Sequence, residues 1–355
     1  MEVLGLRGVV EVAGSEGRCA LLQNGHVFCW GPSAVGQLGN GDLSADPECN
    51  GGACSATPVE VQGIDNATEV AGAWDGHFCA VLATGEVKCW GDNSKGQLGV
   101  DPSMGPEECA EGAAMCSSVP IVVPGIANAL EVRVGSSVSC ALLADGKVKC
   151  WGQSVVSNGV YSPTPVGIEG VQEAVHFAKV SPEVGEFLCV VRSSGGLSCW
   201  GDNREGDLGN GHWSAGPNPS DVSGLESVVE VALSAEGELA CARLESGEVD
   251  CWGNDYHGEL GNGTGGEVGE EGLRFSAVPV KVLGIDDAVG ISVGGGPHRA
   301  WACAVLADET EKCWGENLYG QLGNGRGGYK NYPPAEDESL VVESSNRPVF
   351  VRRPE

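Results

Sequence analysis

Residues 79–99 read Cys79-Ala80-Val81-Leu82-Ala83-Thr84-Gly85-Glu86-Val87-Lys88-Cys89-Trp90-Gly91-Asp92-Asn93-Ser94-Lys95-Gly96-Gln97-Leu98-Gly99. Two short apolar segments flank a turn that contains Gly, and the second segment ends on Cys-Trp-Gly. In the sister stretch Cys140 to Cys150, Asp145-Gly146 sits midway between the cysteines. Asp-Gly is a hairpin signal because both positions tolerate positive φ. A three-residue turn with a Gly bulge places Cys140 directly opposite Cys150. Opposed residues of antiparallel strands lie ~4.5–5.5 Å apart at Cα, within disulfide reach.

The stretch is one copy of a cassette. Cys-Trp-Gly recurs with its Trp at 30, 90, 151, 200, 252 and 314, a repeat of about 50–60 residues. Upstream lies Glu-Val-Ala-Gly (Glu11 to Gly14, Glu69 to Gly72) or a variant at Glu131 and Glu230. Downstream comes Gly-Gln-Leu-Gly at 36–39, 96–99 and 320–323, with Asp207 and Glu259 replacing Gln in two copies. A variable polar loop follows, then Pro-Val-x-Val (Pro58 to Val61, Pro279 to Val282). Each unit reads as four short strands, exemplified by Val59–Val61, Val70–Ala71, Phe78–Leu82 and Glu86–Trp90, because the runs alternate or are β-branched and are bounded by turn residues. No run of helical periodicity competes. A unit of this size with four strands matches one propeller blade. A lone sheet cannot bury both faces, so the units must stack, with the repeated Trp supplying apolar area between them. The third copy lacks Gly-Gln-Leu-Gly after Trp151-Gly152, and the fourth diverges between Val175 and Glu186, so the fold is expected to be least regular there.

The cassette resembles the regulator-of-chromosome-condensation repeat family, over residues 1 to 353. The string Cys-Ala-Leu-x-x-x-Gly-x-Val-x-Cys-Trp-Gly-x-Asn-x-x-Gly-Gln-Leu-Gly carries the likeness, with Asn93, Asn203 and Asn317 keeping the Asn position. The resemblance implies an all-β fold: a β-propeller of four-stranded blades forming one domain over 1–355. Six cores are visible, so the ring is six-bladed, or seven-bladed lacking one unit. One terminal strand is expected to complete the blade begun at the other end, removing exposed edges. The cysteines ally the chain with the family's bacterial branch more than with its nuclear exchange factor.

Sixteen Cys is an even number, and none is left over. Twelve form six pairs ten positions apart: Cys19/Cys29, Cys79/Cys89, Cys140/Cys150, Cys189/Cys199, Cys241/Cys251 and Cys303/Cys313. Four form two short pairs, Cys49/Cys54 and Cys109/Cys116. No C-x2-C knuckle or His spacing supports zinc, and six equivalent pairs argue against one catalytic thiol. Disulfides are the favoured reading, ahead of reduced structural thiols, and imply an extracytoplasmic location. Met1 to Gly8 shows neither a basic n-region nor an apolar h-region, so a signal is expected upstream or already removed.

Charge narrows the function. The chain has 49 Asp+Glu against 20 Lys+Arg, a formal net charge of −29. That disfavours phosphate-backbone binding and anionic membranes, and no apolar stretch is long enough to span a bilayer. The expected role is a non-catalytic protein-binding scaffold, monomeric and without cofactor, that recognises an unknown protein through loops on one face. The loops are 40–57, 100–119, 210–218, 262–278 and 324–347, and Trp213, Tyr329 and Tyr332 are the candidate contacts. The resemblance also admits guanine-nucleotide exchange or secreted enzyme inhibition, such as that of β-lactamases by some bacterial members. A propeller hydrolase is a further alternative, without a recognisable catalytic motif. The six His are dispersed, and His77, two residues before Cys79, reads as a packed core residue. No calcium loop of the Asp-x-Asp-x-Asp-Gly type occurs, and no metal ligand set is assigned.

Overall fold

Phe78 to Leu82 show no alternation of polar and apolar residues because both faces of the strand are buried: every residue of His77–Leu82 is buried. The same holds for Val138–Leu143 and nearly all of Phe187–Arg192. The computed structural model describes residues 5–14, 17–43, 53–73, 76–104, 107–109, 114–153, 161–180, 187–201, 203, 206–213, 216–234, 238–264, 267–268, 274–296, 299–325 and 344–351.

These residues form six sheets, each built on four antiparallel strands. Sheet 1 contains β1 (Val9–Ala13), β2 (Arg18–Leu22), β3 (Val27–Pro32) and β4 (Cys54–Glu60). Sheet 2 contains β5 (Ala67–Gly72), β6 (His77–Leu82), β7 (Val87–Asp92), β8 (Glu107–Cys109) and β9 (Ala114–Val122), with β8 added outside β9. Sheet 3 contains β10 (Ala129–Val134), β11 (Val138–Leu143), β12 (Val148–Gly152) and β13 (Ser162–Gly167). Sheet 4 begins with β14 (Ala174–Phe177). The chain then makes β15 (Lys179–Val180) before continuing sheet 4 with β16 (Phe187–Arg192), β17 (Leu197–Gly201) and β18 (Gly216–Asp221). Sheet 5 contains β19 (Val228–Leu233), β20 (Leu239–Leu244), β21 (Val249–Asn254), β22 (Glu267–Val268) and β23 (Arg274–Lys281). Sheet 6 contains β24 (Ala288–Gly296), β25 (Arg299–Leu306), β26 (Glu311–Gly315) and β27 (Ser345–Phe350). The irregularity anticipated in the fourth repeat is β15, which leaves its own sheet and pairs parallel with β19.

The chain divides into two compact units, one of residues 1–176 and 182–184, the other of 177–181 and 185–355. Each unit has apolar cores sandwiched between consecutive sheets. In the first, Cys19, Leu21, Cys29 and Leu38 of sheet 1 meet Phe78, Ala80 and Trp90 of sheet 2. Cys79, Val81 and Cys89 point from the other face of sheet 2 toward Val132, Ala141 and Trp151 of sheet 3. In the second unit, Cys189, Cys199 and Leu208 meet Trp252, while Cys241, Cys251 and Leu260 meet Trp314. In sheets 2 and 5, period-2 geometry thus sends the cysteines to one neighbour and the tryptophan to the other.

The hairpins explain the cysteine spacing. Cys140 pairs with Cys150, and the Leu143 N–H bonds to the Lys147 carbonyl while the Gly146 N–H bonds back to Leu143, both at 2.9 Å. This is the three-residue turn with a Gly bulge. The left-handed residue is Gly146 alone, at φ 75°, and Asp145 is not among the residues with positive φ, so the two-residue turn mechanism does not apply. All six ten-residue pairs are bonded, with Cα atoms 4.0–4.1 Å apart.

Cys-Trp-Gly is also a register device. In sheet 2 the ladder to the outer strand runs Cys89↔Ile121 and then Gly91↔Ser117, so Trp90 is left out of the pairing and turns into the core. Gly91 must follow it, because φ is +99° and a Cβ would lie 2.1 Å from the Gly76 carbonyl oxygen. On the outer side, Ser55, Ser117, Ser162, Ser276 and Ser345 each donate a hydroxyl bond to the carbonyl two residues on, at 2.5–2.7 Å. That bond closes the bulge before the Pro, which an edge strand tolerates.

Two expectations are corrected. The outermost strand is not Val59–Val61 but Cys54–Glu60; Val61 leaves the strand and is buried, its N–H bonded to the Val27 carbonyl. Nor does a terminal strand complete the sheet begun at the other end. β1 and β27 are the first and last strands of sheets made from consecutive segments, since each terminal cassette already supplies four strands among the described residues.

Candidate functional site

The segment Asn-x-x-Gly-Gln-Leu-Gly is a clamped turn. The Asn93 side-chain oxygen accepts the Leu98 N–H at 3.0 Å, and the Asn203–Leu208 and Asn317–Leu322 bonds repeat this at 2.9 and 3.0 Å. In sheet 5 Asp255 takes the same role toward Leu260 at 3.1 Å. A second clamp comes from the Gln position: Gln37, Gln97 and Gln321 accept the N–H of Val35, Lys95 and Tyr319, each at 2.8 Å. Beneath the turn, the backbone carbonyl of that same residue accepts an indole N–H from the following cassette. Trp90 donates to Gln37, Trp151 to Gln97, Trp252 to Asp207 and Trp314 to Glu259, at 2.8–2.9 Å. The two residues at each tip are therefore held outward on a rigid base, an arrangement suited to display.

What the tips display differs between units. In the first unit they are Ala34-Val35 and Ser94-Lys95. In the second, among the described residues, they are Tyr256-His257 and Leu318-Tyr319, with Tyr256 53% and Tyr319 66% exposed. Tyr256 stands edge-on to His257 at 5.4 Å, and the Arg299 guanidinium donates to the Tyr319 hydroxyl at 3.5 Å. Trp213 joins this edge from the loop after β17. It is 46% exposed and meets Phe275 of β23 edge-on at 4.4 Å. The turns sit in matching positions of consecutive sheets: Gly206 abuts Ala277 of sheet 5, and Gly258 abuts Asn346 of sheet 6. The acidic residues beneath, Asp255, Glu259 and Glu316, are buried, so this edge shows aromatic rings with Arg274 and Arg299 exposed beside them. Burial raises the Glu316 carboxyl above its usual range, opposed by the charge of Arg299 and a hydrogen bond from Gln321.

Of the three candidate contacts expected from sequence, the structure places Trp213 on this edge, while Tyr329 and Tyr332 lie outside the described residues. Tyr256 and Tyr319 were not anticipated, because they occupy the variable pair within the cassette rather than the long loops. All five of those loops run into an outer strand, and 100–119 and 262–278 also hold the added strands β8 and β22. Cys54 and Cys116 are disulfide-bonded. Cys49 and the Cys109 side chain lie outside the described residues. His77 is buried with its Nε2 3.0 Å from the Ser139 hydroxyl. Among the described residues, one trio of possible metal ligands converges, Cys303, Glu311 and Cys313. Its sulfurs are bonded to each other, which leaves a single carboxylate. No helix of the described residues is long and apolar enough to cross a membrane.

Residues 24–81 and 74–97 match the family model of the regulator of chromosome condensation (RCC1) repeat. Residues 24–97 thus carry the RCC1 repeat. Among curated relatives of these repeats, the E3 ubiquitin-protein ligase HERC2 of Mus musculus is 26% identical over 333 residues, 89% of this chain. The chain spans 6% of that ligase and 5% of its Homo sapiens counterpart. The ultraviolet-B receptor UVR8 of Arabidopsis thaliana is 24% identical over 357 residues, covering 94% of this chain and 72% of the receptor. Among solved structures, human WBSCR16 superposes with a TM-score of 0.68 at 19% identity, covering 99% of this chain and 83% of that one. Prp20p from Saccharomyces cerevisiae gives 0.70 at 17% identity, covering 97% and 77%. The two superpositions show the fold, an RCC1-like β-propeller built from four-stranded sheets.

Proposed function

We propose that this RCC1-repeat chain is a non-catalytic protein-binding scaffold that engages its partner through the aromatic edge of the second unit. The observation carrying the proposal is the trio of exposed rings: Tyr256 and Tyr319 on clamped turns, with Arg299 against Tyr319, and Trp213 on the loop after β17. Trp, Tyr and Arg are the residue types that dominate interface energetics, and rigid turns lower the entropy of ordering them. Protein partners are also a theme among the structural neighbours: yeast RCC1 (Prp20) was solved bound to Kap60. Six bonded cysteine pairs favour an oxidising, extracytoplasmic compartment, consistent with kinship to the cysteine-bearing bacterial branch. The scaffold acts as a monomer with no cofactor.

The test compares the wild-type chain with the triple variant Trp213→Ser, Tyr256→Ser, Tyr319→Ser as immobilised bait in extracytoplasmic fractions. Circular dichroism and Tm verify that both are folded. Loss of specific proteins from the triple variant alone supports the docking edge. Recovery of an identical set by both baits sinks it.

A further inference from the structure

In three cassettes the residue before the conserved Leu is Gln, and in two of them it uses both ends of its amide. Gln97 accepts from Lys95 and donates its Nε2–H to Asp92 at 2.8 Å. Gln321 accepts from Tyr319 and donates to Glu316. Sheet 5 inverts this pair: Asn254 stands where Asp92 does, and Glu259 stands where Gln97 does. The Glu259 Oε2 accepts the His257 N–H at 2.6 Å, as the repeat requires. Its Oε1 has no partner, although the residue is 0% exposed.

Among the described residues, the charges acting on Glu259 are both acidic. Asp255 and His257 stand on the same turn, and the Asp255 carboxylate is buried. From sheet 6 the buried Glu316 faces it, and Arg299 is directed at Glu316. A carboxylate buried with one oxygen unsatisfied and two acids nearby is strongly disfavoured, whereas a carboxylic acid removes the charge at little cost. We infer that Glu259 is kept as a neutral acid and that its ionisation is a proton-linked switch in the seam between sheets 5 and 6. That seam is joined at this residue, because its backbone carbonyl accepts the Trp314 indole N–H at 2.8 Å. Burial, followed by the charges of Asp255 and Glu316, lifts the Glu259 carboxyl from 4.5 to about 8. The folded-state value lies above the unfolded one, so the stabilising proton is held at neutral pH. It is lost as pH rises through about 8.

The experiment follows hydrogen exchange of residues 255–261 and the indole N–H resonances of the full chain from pH 6 to 9.5. Rates are corrected for the intrinsic pH dependence against Glu259→Gln at each pH. The wild type is expected to lose about tenfold protection relative to Glu259→Gln between pH 7 and 9, and one indole resonance should titrate with the same midpoint. His257→Gln should retain the transition, which separates Glu259 from the neighbouring imidazole. Glu259→Gln restores the residue of three sister cassettes and is expected to fold. As a readout on the wild type alone, infrared difference spectra should show a buried protonated carboxyl disappearing over the same range. An unchanged transition in Glu259→Gln, or a wild type with flat protection and no protonated carboxyl at pH 7, overturns the switch.

Discussion

The indole N–H of Trp90 donates to the backbone carbonyl of Gln37, 2.9 Å away and 53 positions earlier in the chain. The bond joins the two most recognisable pieces of the repeat, Cys-Trp-Gly and Gly-Gln-Leu-Gly, but from different cassettes. In four cassettes the Gly-x-Leu-Gly segment is the socket for the next Trp. The second Gly completes the socket: a Cβ at Gly39 would stand 2.9 Å from the Trp90 indole, and one at Gly261 would stand 2.8 Å from that of Trp314. Gly261→Ala is therefore expected to cost about 2–3 kcal/mol, from positive φ and overpacking together. Thermal unfolding measures it, and a Tm within error of the wild type would refute the socket.

Four of the six hairpin disulfides lie in cores between consecutive sheets, and all twelve cysteines are buried. A phosphine reductant in native buffer should leave them intact, and the same reductant in denaturant should release them. Alkylation followed by intact mass reports the count. Sixteen thiols alkylated in the untreated native protein would dismiss both the bonds and the oxidising compartment. Cys79→Ala with Cys89→Ala is expected to lower stability by about 2–4 kcal/mol.

Glu309 occupies the turn position that glycine takes in the other hairpins, at φ 65°. Left-handed backbone is costly for a residue with a side chain, so Glu309→Gly should stabilise the protein by about 1 kcal/mol. An increase in Tm of about 1–3 °C is expected by calorimetry. A decrease would mean that side-chain contacts of Glu309 outweigh the backbone term.

Arg133 ties two inner-strand acids together, with Nη1 2.6 Å from Glu69 and Nη2 3.3 Å from Glu131. Glu69 also accepts the Val132 N–H at 2.7 Å, covering a donor on the innermost strand of the next sheet, as Glu11 does for Val70 at 3.1 Å. Burial raises the carboxyl of Glu69, and the Arg133 charge restrains that rise. Arg133→Met removes the restraint, so the Glu69 carboxyl should climb further. Because its folded value is already above the unfolded one, stability declines as pH rises from the ordinary Glu range through the folded value. The variant should lose about 1–2 kcal/mol at pH 8 and less at pH 5. Equal losses at both pH values, in urea titrations, would rule out the electrostatic link.

The cassette, its strand count and the cysteine partners within each hairpin were legible in sequence because they are local. A ten-residue hairpin fixes its own register, and Trp and Gly recur at fixed steps from it. Trp213 was legible as a loop aromatic. Tyr256 and Tyr319 were not, because an Asn-x-x-Gly turn looks the same whether its variable pair is Ser-Lys or Tyr-His; their exposure follows from the clamps below. The Ser before each outer Pro also carries no signal until the bulge it closes is seen.

Sequence alone therefore determined the repeat, its all-β character and its net acidity. Tertiary structure decided which cassette's carbonyl receives each Trp, and that Glu259 is sealed away with an unpaired oxygen. It also decided that two tyrosines and a tryptophan share one edge. These are relations between residues about 50 positions apart, and only the stacking of one sheet on the next, driven by burial of both faces, brings them within reach.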